Sequence, residues 1–308
     1  MRNCLLRFLL CVPLLTLVTS LFAKEKDSRF DWSASASINS NYIWRGLNCG
    51  GLSFQADATV SYAGVFANMW WNVGATDWTF QHLNPEVDIT IGFSRWGLSV
   101  YYIHMYYFDY YADGSRSHFF DMRNHASGGG GTTGEWRIKY RISDQLPLSI
   151  LLATRTFGRD GYTDEEGNLH RAYSTYIELG YDFILGDNWQ LDARLGITPA
   201  KSLYTAYQGN FAICHIGLNL QKSWIFPTSS NISPTLTTFA NIMLNPYQVT
   251  KDNLIHPIEQ AGSQKLNLNI GCQVALKTLN VKHGKIKCSI GGTYYSQPKR
   301  RTNKRILG

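Results

Sequence analysis

Charged side chains recur at every second position in several stretches of this chain, and that spacing sets the chemistry open to them. Asp57, then Glu86 and Asp88, then Glu135, Arg137, Lys139 and Arg141, then Glu178 and Asp182, then Asp192 and Arg194 all fall on one side of a period-2 pattern. Side chains two apart on an extended strand share a face. Each set therefore forms a polar row with an apolar row behind it. Two uses of such a face are open. Cross-strand ion pairs would plug a narrow lumen, because a buried ion needs a partner. Alternatively, the face borders water and its charges tune what passes. For any one residue, pairing is the preferred reading. For the face as a whole, water somewhere in the lumen is expected. Both signs occur, so strong ion selectivity is not predicted. The row Arg137, Lys139, Arg141 would draw anions or pair with Glu86, Asp88 or Glu178, and pairing is preferred.

Other chemistry finds little support. Barrel-borne lipid hydrolysis would need a histidine beside a serine, with a third group orienting it. His104, His118, His125 and His215 are the candidates, and none sits in a Ser-His pattern distinguishable from chance. The chain is not expected to be an enzyme. Cys49, Cys214, Cys272 and Cys288 show no C-x-x-C spacing. No metal site or cofactor is therefore expected. Cys214 and Cys272 read as members of apolar faces, where cysteine acts as a small hydrophobe. A disulfide cannot be read from spacing.

The elements that would carry these rows are strands. Phe30 to Ile38 alternates, with Tyr42 and Trp44 beyond, and Leu52 to Tyr62 sets Phe54, Ala56, Ala58 and Val60 against Gln55, Asp57 and Thr59. Glu86 to Phe93, Glu135 to Ser143, Arg171 to Phe183, Gln190 to Thr198 and Lys265 to Lys277 repeat the pattern, and weaker strands fit at 65–75, 96–108, 148–157, 210–221 and 234–244. That makes twelve segments. Many approach the roughly 9–11 residues a tilted strand needs to cross a bilayer. A thirteenth candidate is Lys285 to Tyr295.

The connections alternate in kind. One series is mostly long and polar: 76–85, 109–134, 158–170, 199–209 and 245–263. The other is mostly tight: Ala63-Gly64, Ser94-Arg95, Asp144 to Pro147 and Leu185 to Asn188. The short first loop, Leu47 to Gly51, and the longer 222–233 are the exceptions. Long loops on one side and short turns on the other are the habit of outer-membrane barrels. Loop 109–134 is the expected constriction or lid. Trp32, Trp44, Tyr62, Trp71, Trp96, Trp136, Tyr181 and Trp189 fall near strand ends, as girdles at two membrane interfaces would. Alternation alone does not say which face is wet. A soluble sandwich or lipocalin-type barrel, with its apolar face inward, stays open as an alternative.

Met1 to Arg7 carries two arginines and no acid, Phe8 to Phe22 is almost wholly apolar, and Ala23 precedes the charged run Lys24 to Asp27. This is the layout of a cleaved signal peptide over 1–23. The apolar run is too short for a spanning helix of ~20 residues. No later stretch reads as one either. A spanning structure must therefore be a closed barrel, since every backbone group has to be paired within it. The net charge of +7 does not point to nucleic acid. Seven of the 29 basic residues lie in the first seven and last ten positions, so the body holds 22 basic against 22 acidic residues. A nucleic-acid surface should be basic within the fold.

Ser40-Asn41-Tyr42-Ile43-Trp44-Arg45-Gly46 resembles the start of the TorF-like porin family, whose first strand closes with a Tyr-x-aromatic-Arg-Gly pattern. The resemblance continues through Ser53 to Gly74, returns at Arg171 to Leu179, and is weak at Asn245-Pro246, covering about residues 30 to 246. It implies a Gram-negative outer-membrane barrel acting as a porin, and it brings no catalytic or substrate residues. Such barrels usually end on a strand with a terminal aromatic residue. This chain ends Lys304-Arg305-Ile306-Leu307-Gly308 after a basic stretch. Thirteen strands would leave the C-terminus on the wrong side, so either Lys285 to Tyr295 lies outside a twelve-stranded barrel or a fourteenth strand is missing, and twelve is preferred. Arg45 would line the pore or fix its loop by bonding loop carbonyls, and the second is preferred.

The expectation is an all-β chain: a signal peptide over 1–23, one antiparallel transmembrane barrel within 30–296, and a basic tail over 297–308. Its expected role is passive diffusion of small hydrophilic solutes. Its expected partners are outer-membrane lipid and lipopolysaccharide and the barrel assembly machinery. A closed structural or adhesive barrel is the first alternative and a barrel lipid hydrolase the second.

Overall fold

A sheet with one apolar and one polar face must hide one of them, and here it does so by closing on itself. The computed structural model describes residues 29–75, 83–108, 115–126, 130–226, 228, 232–247 and 266–278. The signal segment, the thirteenth strand candidate Lys285 to Tyr295, Cys288 and the basic tail lie outside the described residues.

In chain order the strands are β1 (Phe30–Asn39), β2 (Tyr42–Trp44), β3 (Leu47–Gly50), β4 (Ser53–Tyr62), β5 (Val65–Ala75), β6 (Leu83–Arg95), β7 (Leu98–Tyr107) and β8 (Thr132–Arg141). They continue as β9 (Leu148–Gly158), β10 (Gly161–Thr163), β11 (Leu169–Arg171), β12 (Thr175–Gly186), β13 (Trp189–Thr198), β14 (Ala212–Ile225), β15 (Ile232–Leu244) and β16 (Leu266–Thr278). β2–β3 and β10–β11 are separate two-stranded ribbons, and the other twelve strands close a barrel. Every barrel pairing is antiparallel. β1 meets β16 from Ser33 opposite Lys277 to Asn39 opposite Gly271, which seals the last edge.

The barrel is inside out relative to a soluble one. Ile91, Ile138, Leu152, Leu218 and Leu268 are exposed, while Glu86, Thr90, Glu135, Asn219 and Asn269 are buried. A soluble sandwich or lipocalin-type barrel needs the reverse arrangement. The alternating rows thus set an apolar outer wall against a polar interior.

At one end the turns are tight. Ala63-Gly64, Trp96-Gly97 and Asp187-Asn188 each place two successive residues at positive φ, between 44° and 98°. That is the geometry of two-residue hairpins whose twist matches the strands. The second turn lies at Trp96-Gly97 rather than at Ser94-Arg95, because β6 and β7 stay paired as far as Arg95 opposite Leu98.

The opposite end differs from expectation. β1 stops at Asn39, before the Asn41-Tyr42-Ile43-Trp44-Arg45-Gly46 run, so the first loop is not the short Leu47 to Gly51. It spans 40–52 and folds back as the β2–β3 ribbon. Trp44 therefore leaves the girdle for the interior side of that ribbon, and Trp32 is also buried. Tyr62, Trp96, Trp136 and Trp189 remain exposed.

Two β-bulges re-aim side chains. One sits between Gly134 and Glu135 in the β8–β9 pairing, and the other between Gly196 and Ile197 in the β13–β14 pairing. The second leaves Cys214 as the extra residue, so Cys214 and His215 are buried in succession. An extra residue in one strand breaks the alternation. Cys214 consequently faces a buried cluster and not the apolar outer wall expected of it.

Candidate functional site: a lumen partly closed by its first loop

The β2–β3 turn is Arg45-Gly46, with φ of +48° and +85°. Gly46 is required there: a Cβ on it would lie 2.1 Å from the carbonyl oxygen of Cys214. The Gly46 amide faces the Met243 sulfur at 3.0 Å, and the Asn245 side chain donates to the Gly46 carbonyl at 3.3 Å. The ribbon tip is therefore pressed into the barrel against β14 and β15.

Arg45 then reaches across to the far wall. Its Nη1 and Nη2 donate to the two oxygens of Glu135, both at 2.8 Å, and Nη1 also donates to the Tyr204 hydroxyl at 2.7 Å. Its guanidinium lies 4.7 Å from the Trp44 ring and 4.6 Å from the Tyr176 ring. Arg45 is 7% exposed and Glu135 0%. Burial works against the Arg45 charge, but the Glu135 carboxylate overrides it and raises the guanidinium's pKa. The expected bonds from Arg45 to loop carbonyls are replaced by this bidentate pair, the stronger geometry. Tyr42 adds a second tie, donating to Glu86 Oε2 at 2.9 Å. Below the ribbon, Leu47, Cys49, Leu151, Ala153, Tyr176, Leu203, Tyr204, Tyr207 and Cys214 form one buried cluster. Tyr204 is brought there by the 3-10 turn Leu203–Thr205, whose entry is held where the Leu203 amide donates to the Ser174 hydroxyl at 2.9 Å.

A cavity of about 260 Å³ remains in the lumen beside the ribbon. Its wall has two halves. Asn219, Asn241, Asn269, Asn39, Gln55 and Asn68 come from the contiguous arc β14, β15, β16, β1, β4 and β5. Every strand-borne carboxylate and arginine on the lining lies on the other arc, from β13 round to β6: Asp192, Arg194, Glu178, Arg155, Arg137, Glu86 and Asp88.

Of the eleven charged positions singled out in the sequence, Glu86, Asp88, Arg137, Glu178, Asp192 and Arg194 border the cavity. Glu135, Asp182, Arg141, Lys139 and Asp57 do not. Glu135 takes Arg45 and Arg137; Asp182 takes Arg141 and, at 2.7 Å, Arg194. Asp57 accepts from Asn68 at 2.6 Å. Arg137 and Arg141 of the basic row thus pair with Glu135 and Asp182 rather than with Glu86, Asp88 or Glu178. Glu135 is the neighbour two residues before Arg137 on the same face of β8. Glu178 instead accepts from the Tyr176 hydroxyl at 2.7 Å and lies 3.6 Å from His215 Nδ1 and 3.7 Å from Arg194 Nε.

Arg155 and Arg159 were missed. Arg155 is the one charge in β9, whose faces are otherwise apolar or hydroxylic, and that isolation was the available signal. Its guanidinium lies 5.4 Å from the Trp44 ring, and Arg159 lies 4.7 Å from the Tyr107 ring. The amide arc was also missed, although Asn219, Gln221, Asn267 and Asn269 alternate with leucines and isoleucines in plain view.

Three of the four candidate histidines have contacts that are structural in kind. His104 bonds the Phe119 carbonyl at 2.6 Å, His125 bonds Asp121 at 2.8 Å, and His215 bonds the Tyr176 hydroxyl at 2.7 Å. None of these partners is a serine hydroxyl. Cys49, Cys214 and Cys272 are free thiols.

The loop expected as a lid, 109–134, is described over 115–126 and 130–134. Ser117 and Phe119 of the loop after β7 bond Tyr106 and His104, which face outward, so the described part of that loop lies against the outer wall. Among the described residues, the first loop enters the lumen, and Leu203 and Tyr207 of the β13–β14 loop border the same cavity.

No family model matches the chain, and no curated protein sequence does. The resemblance to the TorF-like porins, drawn on Asn41 to Gly46, is therefore not confirmed. Among solved structures, the chain is similar to the NanC porin, with 10% identity and a TM-score of 0.38, over 80% of this chain and 98% of that one. It is similar to the KdgM porin at 8% identity and a TM-score of 0.36, over 80% and 98%. It is also similar to a Pseudomonas aeruginosa FadL homologue at 6% identity and a TM-score of 0.31, over 80% and 89%. Likeness at this level carries no functional argument, and the barrel's own geometry has to supply one.

Proposed function

We propose that the chain is an outer-membrane channel through which small hydrophilic solutes diffuse passively, with its bore narrowed by the β2–β3 ribbon. One observation carries this reading: a closed barrel with an apolar outer wall holds a cavity of about 260 Å³ whose wall carries carboxylates, guanidiniums and amides. The outer wall suits hydrocarbon, and closure leaves no unpaired strand edge within it. The inner wall suits water, because its carboxylates, guanidiniums and amides are costly to bury dry. Acid–base pairing along the charged arc leaves little net charge to favour either ion sign. The surrounding partners on this reading are lipid, lipopolysaccharide and the machinery that inserts barrels.

A second reading has a specific observation behind it. Arg45, bonded bidentately to Glu135 and flanked by Trp44 and Tyr176, holds the first loop across the lumen. If that closure is permanent, the barrel is structural or adhesive and acts through its loops. Planar-bilayer recording of the full folded chain at high salt separates the two. Discrete, reproducible current steps support the channel. Silence from protein shown independently to be folded and inserted supports the closed barrel.

A further inference from the structure

The apolar outer wall has a polar interruption. On β7 and β8 the outward positions near the loop end are His104, Tyr106 and Thr132, next to Ile89, Val87 and Trp136. Facing hydrocarbon, three such groups would lose their hydrogen bonds with water. Three carbonyls of the following loop satisfy them instead. His104 Nε2 donates to Phe119 O at 2.6 Å, the Tyr106 hydroxyl to Ser117 O at 2.9 Å, and Thr132 Oγ1 to His118 O at 3.0 Å. The segment 115–126 is thus clamped on the outside of the barrel.

The clamp leaves apolar side chains facing away from the protein. Phe119 packs at a tilt against His104, with ring centroids 4.5 Å apart, and Phe120 packs edge-on against Phe119 at 4.8 Å. Phe120 is nonetheless 75% exposed, and Met122 and Phe108 are exposed beside it. Below them the wall carries Tyr102, Trp136 and Phe157. Gly134 makes room for that trio: a Cβ there would meet the Phe157 ring at 2.3 Å and the Tyr102 hydroxyl at 2.5 Å. Exposed Arg116 and Arg123 lie in the same segment, and Arg123 is steered by Asp121 at 2.8 Å. Aromatic residues next to an apolar wall, with exposed arginines in the same segment, match the boundary between acyl chains and phosphate-bearing headgroups.

We propose that residues 115–126 form an outward flap that docks into the lipid leaflet at the loop end of the barrel. Phe120 and Met122 enter the acyl boundary, and Arg116 and Arg123 face headgroup phosphate. The proposal rests on reading the barrel as membrane-spanning, and its occupant is lipid rather than another protein. The lipid face is continuous with the flap through ring contacts that run from Trp136 to Tyr102, Phe157, His104 and Phe119.

The test places a photoreactive benzophenone side chain at Phe120, and separately at Ile91 on the outer wall. The full chain is folded into vesicles of phosphatidylethanolamine and phosphatidylglycerol and then irradiated. Lipid adducts at both positions are expected. Adducts at Ile91 with none at Phe120 would overturn the flap and leave the membrane reading standing. A cross-link from Phe120 to a second copy of the chain would overturn it in favour of a protein interface. No lipid adduct at Ile91 would refute the membrane reading and the flap with it. A His104→Leu background adds a separate readout: loss of the Phe120 adduct with the Ile91 adduct kept is expected, and an unchanged Phe120 adduct would refute the hydrogen-bonded clamp.

Discussion

Replacing Arg45 with alanine tests whether the first loop is the constriction. The substitution removes two 2.8 Å bonds to Glu135, the 2.7 Å bond to Tyr204, and the stacking on Trp44 and Tyr176. Breaking a buried pair from one side costs about 3–5 kcal/mol, because it strands the other charge. Glu135 keeps Arg137 as a partner, so the low end, about 3 kcal/mol, is the appropriate figure. That cost falls on the state in which the ribbon is seated, and not on the barrel ladder. At about 1.4 kcal/mol per tenfold, the seated ribbon loses roughly a hundredfold in population against the withdrawn one. Single-channel recording of Arg45→Ala should therefore show a larger or longer-lived open level than the wild type. Arg45→Lys should fall between them, since an ammonium cannot grip a carboxylate with a planar fork. Arg45→Ala combined with Glu135→Gln should not recover stability relative to Arg45→Ala alone, because it leaves the Arg137 guanidinium without its carboxylate. Wild-type conductance and gating in a folded Arg45→Ala barrel would refute the reasoning. The cavity's width would then be set elsewhere.

Three more outcomes depend on single positions. Gly46→Ala should mimic the release of the ribbon, because its Cβ has no place beside the Cys214 carbonyl; matching single-channel traces for Gly46→Ala and Arg45→Ala would check it. Ile91 is 61% exposed on the outer wall, so Ile91→Arg should cost about 2–4 kcal/mol if it lies near the bilayer centre. Equilibrium unfolding in vesicles measures that loss, and an unchanged midpoint would argue against a lipid-facing wall. In the β10–β11 loop, the His170 contact holds the Asp164 carboxyl down to about 2. A lowered folded pKa gives stability that is present above the unfolded value, ~3.9, and lost as pH falls through the folded one. Amide-exchange protection of that loop should survive pH 4 and fade towards pH 2, and His170→Ala should move the fading upward.

Most of the barrel was legible because a transmembrane strand needs the same alternation along its whole length. The interior rows of β6, β8, β12 and β13 carry formal charges at every second or fourth position, and nothing else explains that spacing. β9 was harder to read. Ser149, Leu151 and Ala153 on its inner side differ little from Ile150 and Leu152 on the outer, so only Arg155 marks the face. The bulges were illegible for a related reason. An extra residue looks like a continued strand until its neighbour's register is known, and Cys214 was assigned to the wrong wall on that account.

The two loops exchanged roles between sequence and structure, and local patterning had no means to show it. Tyr42-Ile43-Trp44 looks like more strand, yet Arg45-Gly46 both take positive φ and turn the chain inward. What holds it there is spread over β8, β14, β15 and the turn at Leu203–Thr205, at sequence separations from 90 to 199 residues. Length made 109–134 the natural lid, but its contacts are decided by three polar groups on an apolar wall, His104, Tyr106 and Thr132. Each is ordinary in sequence. Together they demand hydrogen-bond acceptors on the outside of the barrel, and the loop after β7 is the nearest source of carbonyls. A polar residue on the lipid face is thus better read as a request for a covering segment than as a flaw in the strand. By the same logic Arg45, whose own short ribbon carries no acid, marks a loop that must find its acid across the lumen.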